Sequence, residues 1–188
     1  NGDMITDRRH QSAFGRKGTG GFLAMELSTS YQYLATPARY YAGVGALSRI
    51  DREVERAGAK RAFIVCSETV ARTSNLLDRT REALGERYGG AWDGCKKESP
   101  VPIVLAGLEA VREADPDLIV AVGGGSAVVT ARAITILLGE GKTIEELYTK
   151  HVPGQAPIVS RNLAPKLPNI LVLTTPTTGA DRGGAAVL

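Results

Sequence analysis

From residue 40 onward the chain alternates short apolar runs with stretches in which apolar residues recur every three or four positions. That alternation predicts a layered α/β domain with a mostly parallel sheet, because parallel strands need a crossover between them and a helix is the usual one. Arg39-Tyr40-Tyr41-Ala42 reads as a short first strand, closed by Gly43-Val44-Gly45. Leu47, Ile50, Val54 and Ala57 then fall at helical spacing among Arg52, Glu53, Glu55 and Arg56, with Gly58 placed to cap the end. Residues 61–66 form a continuous apolar run of the kind a strand covered on both faces requires. A second helical region follows, with Leu76, Leu77 and Leu84 on one face.

Residues 88–92 predict a weaker strand, interrupted by Gly89 and Gly90. A helix over residues 101–114 starts after Ser99-Pro100 and turns Val104, Leu108 and Val111 inward; Asp115-Pro116 ends it. Residues 117–122 are the clearest buried strand, running straight into Gly123-Gly124-Gly125-Ser126 and then a helix from about residue 127 to residue 138. Residues 139–168 are less regular, with a short helix near 144–149 and prolines at 153, 157, 165 and 168. They read as an excursion from the domain, because the pattern resumes with the strand-like run 169–173 and the polar run 174–179. Residues 184–188 read as the start of a further strand, and there is no internal repeat.

Composition narrows the function classes. The 188 residues fit one α/β domain plus a tail, and no run of ~18 apolar residues predicts a membrane span. Of the net charge of +3, residues 1–24 supply +2 through Arg8, Arg9, Arg16 and Lys17 against Asp3 and Asp7. The remainder is nearly balanced and has no basic stripe with interleaved aromatics, so the footprint of a nucleic-acid binder is missing. Cys66 lies in an apolar run and Cys95 in a polar loop, with no CxxC spacing, which predicts reduced thiols and a cytoplasmic protein. The first 24 residues contain no apolar stretch of ~7 to 15 residues such as a signal peptide needs, and Met25 is a candidate start. Residues 1–30 are expected to be a disordered Gly/Arg-rich tail and residues 31–188 the domain proper.

Two segments carry candidate chemistry. A strand ending in three glycines and a serine, followed at once by a helix, suits an anion: glycine lets backbone approach a pyrophosphate, Ser126 can supply a hydroxyl and an N-cap, and the first helical N–H groups point at the charge. Its place at the carboxyl end of a central strand is where open α/β sheets bind ligands. A tight turn that uses glycine for geometry alone is the plainer alternative. Neither GxGxxG nor GxxxxGK[ST] occurs. The second segment, residues 174–179, offers threonine hydroxyls around a glycine, able to bond ribose or phosphate oxygens or to form an ordinary solvated turn. His10 and His151 are the only histidines, and His151 sits in the irregular excursion, so no metal ligand and no catalytic acid or base is assigned.

The order GVGAL, RAFIVC, LLDRTREALG, a Pro-led helix, DLIVAVGGGS and LPNILVLTTPTTGAD resembles the amino-terminal domain of the iron-containing alcohol dehydrogenase family over about residues 38–188. The maleylacetate reductase-like branch looks nearest; dehydroquinate synthase-like and glycerol phosphate dehydrogenase-like proteins share the architecture. The resemblance implies a Rossmann-like layered fold with helices on both faces, and hydride transfer between NAD or NADP and an alcohol, aldehyde or ketone. It implies that Gly123, Gly124, Gly125 and Ser126 hold the pyrophosphate, that Thr174, Thr175 and Thr178 line the cofactor, and that Ser99 lies near the nicotinamide. Ser67 stands where NAD-preferring relatives carry an acidic residue, so NADP is expected to be tolerated, with Glu68 next door able to take the acidic role. Val129 and Arg132 also depart from the family's usual Asp and Lys.

The family's Fe2+ or Zn2+ is held by an Asp and three His on an all-helical domain, which the resemblance places beyond the segment this chain covers. The expected partner is a small-molecule substrate, with a homodimer as the candidate assembly and neither nucleic acid nor membrane. The rival reading is a free-standing nucleotide-binding module or inactive fragment that performs no hydride chemistry.

Overall fold

The apolar runs between residues 61 and 173 become strands of one sheet, and the helical repeats between them become its crossovers. The computed structural model of the protein describes residues 38–160, 162–176, 186 and 188. Thr36–Leu188 forms one compact unit. The expectations for the tail at residues 1–30 and for a strand at residues 184–188 fall outside the described residues, apart from Ala186 and Leu188.

The strands are β1 (Ala62–Cys66), β2 (Tyr88–Trp92), β3 (Leu118–Gly123) and β4 (Asn169–Leu173). Their order across the sheet is β2-β1-β3-β4, and all three pairings are parallel. The helices are α1 (Ile50–Arg56), α2 (Glu68–Thr73), α3 (Leu76–Leu84), α4 (Val101–Ala114), α5 (Gly125–Glu140) and α6 (Ile144–Leu147). From β1 the chain winds outward to β2, then returns to place β3 on the other side of β1. That reversal leaves a crevice between the carboxyl ends of β1 and β3.

Side-chain alternation along the strands feeds two cores. Phe63, Val65, Ile119 and Ala121 pack with Val104, Leu108 and Val111 of α4 and Ala131, Ile134 and Leu137 of α5. Ile64, Cys66, Leu118, Val120 and Val122 pack on the other face with Ile50 and Val54 of α1 and Leu84 of α3. Both faces of the sheet are therefore covered, as the unbroken apolar strands predict. No helix among the described residues is long and apolar enough to cross a membrane.

Three expectations are corrected locally. Residues 39–42 form no strand: Tyr40 and Tyr41 are exposed, and the segment is tied to α1 by a Tyr41 hydroxyl bond to Glu53 Oε1 at 2.6 Å and an Arg39–Glu53 ion pair at 3.5 Å. A four-residue run without a ladder partner gains more from those contacts than from an extended shape. The first helix begins as a 3-10 turn, Ala46–Arg49, and Ala57 is exposed while Ala59 is buried instead. Gly89 and Gly90 do not break β2; they accommodate a register shift, with Ala62 opposite Tyr88 and Phe63 opposite Gly90. Gly90 has φ +132, and a Cβ there would lie 2.9 Å from the Phe63 ring, so the bulge requires glycine.

Asp117 joins the start of β3 to the start of β1. Its carboxylate accepts the Lys60 and Arg61 N–H groups, each at 2.8 Å, while its own N–H donates to the Arg61 carbonyl at 3.0 Å. Asp117→Ala leaves two backbone donors without their acceptor and is expected to cost about 1–3 kcal/mol. Urea denaturation should show a lower midpoint at unchanged slope.

Candidate functional site

The glycine run is shaped by how closely β3, α5 and the segment after β4 approach one another. Gly123 closes β3 with φ +148, and a Cβ there would lie 2.9 Å from Ala127 Cβ. Gly124 is the extended N-cap of α5, its carbonyl accepting the Val128 N–H at 3.3 Å. A Cβ at Gly124 would come within 2.8 Å of Thr175 Oγ1. At Gly125 a Cβ would meet only open space. Backbone is thus exposed just where α5 presents its first N–H groups, which have no partner within the helix and carry the positive end of its dipole.

These groups open into a cleft of about 330 Å³ lined by residues 67–69 after β1, 95–97 after β2 and 124–127 after β3. The sheet order, not chain proximity, brings the three loops together. Lys96, Lys97 and Thr69 are lining residues that sequence reasoning does not single out; the only local signal is two adjacent cations in a polar loop about thirty residues from the glycines.

Ser67, Gly124, Gly125 and Ser126 all line this cleft. Ser67 caps α2, its hydroxyl oxygen accepting the Val70 N–H at 3.3 Å. Ser126 is not the N-cap predicted for it: α5 starts two residues earlier, so Gly124 caps and Ser126 is the second helical residue. Its hydroxyl oxygen instead accepts the Glu98 N–H at 3.2 Å. Ser99 lies behind the cleft, 1% exposed, donating to the Ser126 carbonyl at 3.0 Å and accepting from Thr130 Oγ1 at 2.9 Å. This buried chain of hydroxyls fastens the β2–α4 loop to α5. Glu98 and Ser99 hold positive φ angles of 63° and 48°, a conformation costly for residues with a side chain and maintained by those bonds.

Thr174 continues the ladder, its N–H donating to the Gly123 carbonyl at 3.0 Å, and Thr175 flanks Gly124. Thr178 lies outside the described residues. Val129 and Arg132 sit on α5, as the sequence order requires.

Cys95 is corrected from a polar loop to the core: it is 3% exposed, and its N–H donates to the Cys66 carbonyl at 3.1 Å. Both cysteines are free thiols. Burial, with the nearby Asp93 charge, pushes Cys66 up to about 11; burial above all pushes Cys95 up to about 12. Both thiols are therefore neutral and unreactive in the folded chain at pH 8, and are expected to resist a disulfide-exchange reagent until urea exposes them. The sign of the linkage follows: the folded state holds these protons more tightly than the unfolded one, so the contribution is complete below the ordinary thiol value of 9.0 and is lost as pH rises toward 11–12. Equal labelling rates with and without urea would overturn this assignment.

Among the described residues no group of three or more His, Cys, Asp or Glu side chains is arranged to hold a metal ion.

A doubly covered, all-parallel sheet among the described residues, with a glycine-walled cleft at its switch point, defines an open α/β protein. The sequence model described as "Iron-containing alcohol dehydrogenase" matches residues 37–188, and the chain belongs to that family. It is 38% identical over 100 residues to maleylacetate reductase 2 of Cupriavidus pinatubonensis, a match covering 53% of this chain and 27% of that protein. The iron-containing alcohol dehydrogenase of Thermococcus thioreducens superposes with a TM-score of 0.64 at 30% identity, covering 78% of this chain and 38% of that one. The sulfoacetaldehyde reductase of Bifidobacterium kashiwanohense, solved in complex with NAD+, shares the fold with a TM-score of 0.61 at 22% identity, over 80% of this chain and 39% of that one. The chain thus spans well under half the length of these relatives.

Proposed function

We propose that this chain supplies the NAD(P)-binding half of an oxidoreductase that moves a hydride between a nicotinamide cofactor and an alcohol, aldehyde or ketone. The observation that carries this reading is the glycine turn at residues 123–126: backbone laid bare at the positive end of α5, in a cleft at the switch point of the sheet. The fit is physical. Gly124 leaves no room for a side chain beside Thr175, whereas the space at Gly125 is open, so an anionic group can approach the first N–H groups of α5.

On this reading residues 124–126 hold the pyrophosphate, Thr174 and Thr175 border it from β4, and Ser67 borders it from β1. Ser99 acts from behind, holding Ser126 and the β2–α4 loop in place through its buried hydroxyl. The dinucleotide, when bound, supplies a hydride-carrying ring; the chain's own residues bind and orient it. The described residues do not fit a divalent ion. We assign the Fe2+ or Zn2+ ligands to the length of the relatives that this chain does not span, and the substrate, maleylacetate-like or a simpler carbonyl, to the same part.

Isothermal titration of the chain with NADH and with NADPH tests the reading. Saturable binding of either at one site per chain is the expected result. A folded chain that binds neither overturns it. Dinucleotide binding by a chain that shows no turnover, even with its relatives' remaining length supplied in trans, would favour a free-standing nucleotide-binding module.

A further inference from the structure

Resting on the proposed cofactor site, we infer that Lys96 and Lys97 make the cleft a site for a dinucleotide bearing an extra phosphate, so that the chain prefers NADPH to NADH. The two lysines enter from the loop after β2, opposite the glycine turn, and both line the cleft. Glu68 is the one carboxylate among the described lining residues, and it is already shared: Arg72 Nε lies 3.1 Å from one of its oxygens and Lys96 Nζ 3.5 Å from the other. Two cations beside the carboxylate offset its charge, so its repulsion of an extra phosphate is reduced. Ser67, whose oxygen already accepts the Val70 N–H, brings no negative charge. Lys97 pairs only loosely with Glu98 at 3.7 Å, both side chains being more than four-fifths exposed.

The lining therefore carries two ammonium groups against one engaged carboxylate, in addition to the positive end of α5. Exposed ion pairs of this kind are weak, so a phosphate dianion can draw both lysines from their present partners. The loop that carries them is held by internal bonds. The Glu98 N–H is fixed on Ser126 and Ser99 is buried against α5, so the lysines are anchored two and three residues from a rigid point. Recognition then requires only lysine side chains to reorient, not a loop to order, which lowers the entropic cost of binding.

The test compares NADPH and NADH affinities by isothermal titration for the natural chain, for the Lys96→Ala/Lys97→Ala double variant and for Glu68→Gln. All three positions are at least 46% exposed at the side chain, so the variants should fold, which thermal melting checks. The natural chain is expected to prefer NADPH by about tenfold, as two charge-assisted contacts allow. The double variant should bring the ratio near unity, and Glu68→Gln should raise it by about threefold through removal of a like charge. A ratio that the double variant leaves unchanged, or NADH bound as tightly as NADPH by the natural chain, overturns this inference and leaves the cofactor site standing. Binding of neither dinucleotide overturns both.

Discussion

Gly124→Asp is expected to abolish NADH and NADPH binding, lowering affinity about a hundredfold or more, equivalent to about 2.7 kcal/mol. Two effects add. The new Cβ would press within 2.8 Å of Thr175 Oγ1, and the carboxylate would stand at the N-terminus of α5 in competition with the dinucleotide's phosphates. Gly124→Ala separates them, because it keeps the crowding and omits the charge; about a tenfold loss is expected. Thr175 is exposed and lies two residues beyond the end of β4, so it can yield, and both variants should melt close to the natural chain. An Asp variant with undiminished affinity would mean that the dinucleotide avoids the glycine turn.

The second large effect concerns the sheet that aims this turn. Ile119 is wholly buried at the second position of β3, the strand that pairs with β1 on one side and β4 on the other. Ile119→Ala leaves a cavity beneath α4 and α5 that backbone cannot collapse to fill, and is expected to cost about 2–5 kcal/mol. Leu173→Ala, at the end of β4 where the side chain is 40% exposed, should cost less than about 1 kcal/mol. Urea denaturation of both variants measures the contrast. Equal losses would show that β4 is buried in solution to the same degree as β3.

Much of this arrangement is legible in the sequence. The pattern predicts α4 over residues 101–114 with Val104, Leu108 and Val111 inward, and the structure has the same bounds and buries all three, with Gly107 in addition. It predicts β3 running into the glycine turn and a helix after it; β3 is displaced by one residue, to Leu118–Gly123, and α5 is longer by about two residues at each end. Those features are local: a 3.6-residue repeat, a run of β-branched residues and a proline each act on their own few neighbours. Residues 39–42 misled because a short aromatic run looks like a strand whether or not another strand lies beside it. Cys95 misled because its chain neighbours are polar, while its side chain belongs to the buried cluster of Phe63, Val65 and Ile119 and bonds Thr130, all distant from it in sequence.

The sequence by itself therefore determined the class of fold, the order of its elements, the glycine turn and the family to which the chain belongs. Tertiary structure alone decided which loops share the cleft. Lys96 and Lys97 reach the glycine turn because β1 and β3 are neighbours and β2 lies on the far side of β1, a matter of strand order that no local pattern encodes. It also decided the role of Ser99, whose hydroxyl is spent on Ser126 and Thr130. Backbone propensity acts over a few residues, whereas strand order is set by which faces can be buried together once the whole chain has collapsed.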